Sequence, residues 1–147
     1  MIELKKITGE NFAIIVKMKP PADAEDFMLS AAECLAEAWF YNDPEGIHPV
    51  AICADGEPVG FMRVCTAPRN RNLSLWGILF PEEHINKGYG GETLRLLVRL
   101  ARESGKFDTI GLCCHPDNRR AMRVYEREGF RPTGNITAGR IDMVFQL

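Results

Sequence analysis

Hydrophobic residues fall at two spacings along this chain, and the changes of spacing lay out its elements. In residues 92–104, Leu94, Leu97, Val98 and Ala101 recur at intervals of three and four. That spacing predicts a helix with this face on a sheet and Arg95, Arg99 and Arg102 turned to water. Short apolar runs predict strands at residues 2–7, 50–54, 59–64, 73–80 and 109–114. Asp55-Gly56 stands between the second and third of these and suits a two-residue hairpin turn with positive φ at both positions. Residues 131–136 and 140–146 predict a closing antiparallel pair across Thr137-Ala138-Gly139. Nearer the N-terminus, a helix around residues 11–18 is stopped by Pro20-Pro21. A second, alanine-rich helix over 31–41 begins at a Ser30/Glu33 capping box and ends before Asn42-Asp43-Pro44. The polar, arginine-rich residues 67–72 read as a loop.

Composition narrows the class. A chain of 147 residues buries a proper core as one domain, residues 1–147, and its charged fraction of 26% is ordinary for a globular protein. The net charge of -2 gives no basic footprint for nucleic acid, and no apolar stretch approaches the length of a membrane span. The N-terminus lacks the apolar core of a secretory signal, and five cysteines are an odd, scattered set. Reduced thiols in the cytoplasm are expected. Cys113, Cys114 and His115 invite a metal reading, but no second Cys/His pair exists to complete a zinc site, so no metal is expected. They read as residues of a short buried strand whose neighbours point to opposite faces.

Candidate chemistry centres on Lys87-Gly88-Tyr89-Gly90-Gly91, which runs directly into the predicted helix. Glycines admit close backbone approach and positive φ, and a helix start presents unpaired N–H groups to an anion. The same residues also suit a turn that merely caps a core helix. No Gly-Lys-Ser/Thr follows, and no Gly-x-Gly-x-x-Gly with a distal acid is present, so neither a Walker-type loop nor a dinucleotide fingerprint fits. Downstream, Asn118, Ala121, Tyr125, Glu126, Gly129 and Phe130 stand in the order Asn-x-x-Ala-x-x-x-Tyr-Glu-x-x-Gly-Phe. Together the two segments resemble the GNAT superfamily of N-acetyltransferases over residues 48–147, and in layout the polyamine (spermidine/spermine) acetyltransferases. Two departures stand out: Ile85 replaces the usual Gln or Arg that opens the loop, and Trp76 replaces the acid of the polyamine subfamily.

The resemblance implies an α/β (α+β) fold: a mixed, mainly antiparallel central sheet flanked by helices, with a splayed strand pair at the cofactor site. It implies acetyl-CoA as co-substrate, its pyrophosphate held by backbone N–H groups of Asn86, Lys87, Gly88, Tyr89, Gly90 and Gly91. The backbone of Ile78, Leu79 and Phe80 is implied to pair with the cofactor and to polarise its carbonyl, and Asn118 to lie near the pantetheine. Tyr125 is implied as the acid that protonates the departing thiolate. The acceptor is expected to be a primary amine of a small molecule, with polyamine-like amines among the candidates and a protein or peptide amine as the variant. A non-catalytic acyl-CoA sensor is the other class, and a homodimer is a fair expectation for the superfamily. Candidate acids for handling the amine are Glu25, Asp26, Glu33, Glu37, Glu82 and Glu83, each equally suited to a solvated surface. Trp39, Phe40, Tyr41 and Trp76 are candidates for an aromatic wall around a cationic or flat acceptor.

Overall fold

Strand β2 (Ile47–Ala54) turns into β3 (Glu57–Cys65) through Asp55 and Gly56, whose φ values of 50° and 89° are both positive as that turn requires. The computed structural model, which describes residues 1–42, 46–66 and 70–147, builds the rest of one seven-stranded sheet around this hairpin. The other strands are β1 (Ile2–Lys6), β4 (Asn72–Leu79), β5 (Thr109–Cys114), β6 (Arg131–Thr137) and β7 (Arg140–Gln146). Their order is β1-β2-β3-β4-β5-β7-β6, and every neighbouring pair is antiparallel except β4 with β5. The helices are α1 (Phe12–Ile15), α2 (Ala31–Phe40), α3 (Tyr89–Ser104) and α4 (Arg119–Arg127). The expected mixed, mainly antiparallel sheet flanked by helices is what the chain forms.

Two apolar clusters divide the sheet's faces. Leu94, Leu97, Val98 and Ala101 of α3 bury against Leu73, Leu75, Ile110, Leu112 and Met143, with Tyr125 and Phe130 in the same cluster. On the other face, Ile15 and Met18 join Ala31 and Cys34 of α2 over Ala51, Cys53, Phe61 and Leu79. The predicted α3 face is therefore the packed one, and Arg95, Arg99 and Arg102 are exposed. Pro49 is tolerated in β2 because β1 pairs only as far as Val50, so its missing N–H breaks no bond to β1.

Three expectations shift. The helix expected over 11–18 is a single turn: Asn11 stands outside it as N-cap, its Oδ1 accepting from the Thr8 N–H and its Nδ2 donating to Lys6 O, both at 2.9 Å, and past Ile15 the Lys17 and Met18 N–H groups tighten onto Ile14 O and Ile15 O three residues back, ahead of Pro20. Helix α3 starts at Tyr89, three residues before Glu92, and so takes Tyr89, Gly90 and Gly91 into its first turn. The α2 capping box is present, with Ser30 Oγ accepting from Glu33 N–H at 3.2 Å and Glu33 accepting from Ser30 N–H at 2.8 Å, but the helix stops at Phe40. Residues 43–44 of the expected helix stop, and 67–69 of the arginine-rich loop, lie outside the described residues.

Candidate active site

The β4 and β5 ladder runs only from Asn72 opposite Thr109 to Leu75 opposite Leu112. Beyond it β4 keeps pairing with β3 as far as Leu79, while β5 keeps pairing with β7 as far as Cys114, so the two strands part. A bulge marks the parting: Arg63 opposes Gly77 and Val64 opposes Leu75, which leaves Trp76 as the extra residue, and Gly77 takes φ 147°. Past the bulge, alternate N–H and C=O groups of β4 point away from β3 into the gap. The gap opens into a cavity of about 690 Å³ and, beside it, a smaller one of about 90 Å³. Ile78, Asn118, Ala121 and Tyr125 line both.

At the far side of the small cavity the glycine loop enters α3. Asn86 and Gly88 both adopt left-handed backbone, φ 59° and 83°, and no side chain caps the helix. Its first N–H groups therefore lack the partners that an interior turn would have. Gly91 is held close to α4, since a Cβ there would lie 2.6 Å from Glu128 Oε1. Ile85, Phe80 and Gly90 line the small cavity. Uncapped donors at a helix start beside an open strand edge suit a diphosphate joined to an extended amide arm, the chemistry of coenzyme A.

Tyr125 sits where the two cavities meet and is 9% exposed. Burial pushes its phenol well above the ordinary tyrosine range; nearby Cys114 adds to this and the Arg140 guanidinium opposes it. Cys114 is buried too, and its thiol is pushed up to about 11, so it is an inert neighbour and no nucleophile. Asn118 caps α4, its Oδ1 accepting from Ala121 N–H at 3.4 Å.

A family model described as the acetyltransferase (GNAT) family matches residues 13–130. The chain belongs to the GNAT family. The match begins well before residue 48, where the motif resemblance starts, and so takes in α2. The spermine/spermidine N(1)-acetyltransferase of Bacillus subtilis (strain 168) is 27% identical over 141 residues, covering 92% of this chain and 91% of the relative. The PaiA N-acetyltransferase of Thermoplasma acidophilum, solved in complex with coenzyme A, superposes with TM-score 0.75 at 15% identity over 100% of this chain and 99% of its own. The spermidine N-acetyltransferase of Vibrio cholerae, solved with CoA and spermine, gives TM-score 0.73 at 15% identity over 99% and 95%. This GNAT protein is thus an N-acetyltransferase that draws its acetyl group from acetyl-CoA, which favours the enzyme class over the sensor.

The larger cavity of this GNAT domain has a charged wall that the sequence showed only in part. Of the candidate acids, Glu37 alone lines it, and Arg63 Nη1 donates to Glu37 Oε2 at 2.6 Å. Glu33 is engaged in the α2 cap, and Glu82 accepts from Ala22 N–H at 3.1 Å. Neither these two nor Glu25, Asp26 or Glu83 reaches the cavity. Asp142, unremarked in sequence, does line it; its carboxylate accepts from Thr137 Oγ1 at 2.8 Å and Cys113 Sγ at 3.2 Å. His115 lies just past β5 on the same wall, stacked on Phe27 at 4.3 Å. Its Nδ1 accepts from the Asp117 N–H at 3.1 Å, which occupies that nitrogen and disfavours its use as a base. Trp76, Phe27 and Phe61 supply aromatic wall. Trp39, Phe40 and Tyr41 do not: they follow the last buried turn of α2 and are 78%, 73% and 60% exposed. Among the described residues no group of three His, Cys, Asp or Glu side chains gathers to hold a metal, and no helix is long and apolar enough to cross a membrane.

Proposed function

We propose that the chain transfers the acetyl group of acetyl-CoA to a primary amine of a small molecule seated in the larger cavity, by direct attack, with Tyr125 as proton donor. The observation that carries this is the position of Tyr125, buried at the junction of the two cavities where β4 and β5 part. In this reading the N–H groups from Asn86 to Gly91 hold the pyrophosphate, and the open edge of β4 from Ile78 to Phe80 aligns the pantetheine arm and polarises the carbonyl. Oxyanion donors of that kind are each worth about 2.7–4 kcal/mol. Acetyl-CoA supplies a thioester whose C–S bond breaks as the amine nitrogen bonds to the carbonyl carbon.

Protons balance as follows. An ammonium with a reference pKa of about 10.4 loses one proton before attack and a second afterwards. Tyr125 gives its proton to the sulfur and is reloaded by one of those two, and the other goes to water. Burial keeps Tyr125 protonated across the neutral range, so the donor is always loaded. Handing the proton on leaves a buried phenolate, and the Arg140 guanidinium is the positive charge that offsets it. The relative from Bacillus subtilis puts polyamines among the acceptors to be tried.

The test is release of free coenzyme A from acetyl-CoA with spermidine, diamines, aminosugars, amino acids and a lysine peptide, with mass-spectrometric detection of the acetylated product. Turnover of a small amine supports the proposal. Acetylation of the peptide alone, or of nothing while acetyl-CoA binds, would overturn it.

A further inference from the structure

The charges on the larger cavity's wall are balanced, and the balance says what kind of amine fits. Two carboxylates and two guanidiniums line the cavity: Glu37, Asp142, Arg63 and Arg140. Glu37 Oε2 accepts from Arg63 Nη1 at 2.6 Å, and although the Glu37 side chain stays 42% exposed, the pair adds no net charge to the wall. Asp142 and Arg140 remain. Neither makes an ion pair among the described residues. Asp142 accepts only from neutral donors, the Thr137 hydroxyl and the Cys113 thiol. Arg140 spends one N–H on Phe27 O at 2.8 Å, which fixes the guanidinium without neutralising it. Both belong to β7 two positions apart, so they share a face about 7 Å apart along the strand.

An unpaired anion and an unpaired cation on one wall suit a ligand that carries the opposite pair. We propose, building on the reading of the preceding subsection, that the acceptor is a zwitterion: a primary amine that also bears a carboxylate, its ammonium seated at Asp142 and its carboxylate on the fork of Arg140. A polyamine gains little here. Its several positive charges would enter a cavity of zero net charge, give up their hydration and find, in Asp142, a single carboxylate without a cationic partner. The apolar wall of Phe27, Leu75 and Trp76 takes the remainder of the acceptor.

The test compares L-leucine, L-phenylalanine and 4-aminobutyrate with their carboxamides and with spermidine, as kcat/KM in the wild-type protein and in Arg140→Gln, Arg140→Lys and Asp142→Asn. The carboxylate-bearing amines should exceed their amides tenfold or more. Arg140→Gln should bring that ratio near one and Arg140→Lys should restore part of it, whereas Asp142→Asn should raise KM for acid and amide alike. Because the Arg140 charge also acts on Tyr125, the ratio between acid and amide is the informative quantity, not the absolute rate. Calorimetric titration of the same ligands into protein saturated with coenzyme A reads the seat without turnover. If no small amine is acetylated, the proposed function falls, and a calorimetric preference for acid over amide still supports the seat. Amides binding as well as acids, or spermidine surpassing every carboxylate-bearing amine, would overturn it.

Discussion

Replacing Gly60 by alanine tests how the end of β4 is held in place. A Cβ at Gly60 would lie 2.6 Å from two carbons of the Phe80 ring and 2.8 Å from the carbonyl oxygen of Leu79. Carbon contacts settle near 3.5–4.0 Å, so the ring must retreat by about 1 Å. The ring alone could turn aside, but the Leu79 oxygen is backbone and takes the end of the strand with it. Overpacking of this kind costs about 1–3 kcal/mol, and each kcal/mol lowers the melting temperature of a protein this size by about 2–4 °C. The functional consequence follows from location. Phe80 lines the small cavity and lies 6.2 Å from the Tyr89 ring at the start of α3, so its displacement disturbs the proposed cofactor edge and loop together. A misplacement of about 1 Å at such a site lowers kcat/KM by on the order of ten- to a hundredfold. Differential scanning calorimetry and steady-state kinetics with varied acetyl-CoA on Gly60→Ala measure the two effects. The double variant Gly60→Ala with Phe80→Leu should recover part of the stability by removing the ring clash, but not the part due to Leu79 O. A Gly60→Ala protein that melts with the wild type and keeps its kcat/KM within twofold would refute the reasoning.

Two further outcomes follow from local interactions. Ser30→Ala removes the capping box of α2 and should cost about 1 kcal/mol, read as a lower urea midpoint at unchanged slope. The Ser30 backbone N–H, with a smaller share from its hydroxyl, holds the Glu33 carboxyl below its usual range, so the stabilisation from that carboxylate is present above the unfolded pKa of about 4.3 and is lost as pH falls through the lowered folded pKa. The backbone N–H of residue 30 still donates to Glu33 in Ser30→Ala, so the gap between wild type and Ser30→Ala should change little with pH, whereas the gap between wild type and Glu33→Ala should narrow below about pH 4. For Tyr125 the sign is reversed. Burial raises its folded pKa above the unfolded value of about 10, so the stabilisation from keeping it neutral is complete below that pH and is lost above it. Wild-type melting temperatures should fall relative to Tyr125→Phe as pH rises past 10; parallel curves would mean that Tyr125 is not buried as described.

Much of this fold was legible because it is written in local patterns. The α3 stripe, the Asp55-Gly56 turn and the Ser30 cap each act within a few residues, and each is found in place. The parting of β4 from β5 came from the family resemblance and not from periodicity: an apolar run reads the same whether one or two neighbours pair with it. The bulge at Trp76 is hidden for the same reason, since it depends on the partner strand's register. Asp142 went unremarked because nothing near it in sequence singles it out, and its cavity position is set by pairing with Cys113 across β5 and β7. Glu37 and Trp39 illustrate the limit on a helix: both lie on α2, yet only Glu37 falls on the turn facing Arg63.

The most direct test of the central claim is a comparison of Tyr125→Phe with the wild type in steady-state turnover and in acetyl-CoA binding. The two side chains differ by one hydroxyl, which makes no hydrogen bond among the described residues, so folding should be unaffected. If Tyr125 protonates the departing thiolate, kcat should fall by about 10²–10⁴-fold while acetyl-CoA affinity changes little. Equal turnover in the two proteins would contradict the assignment.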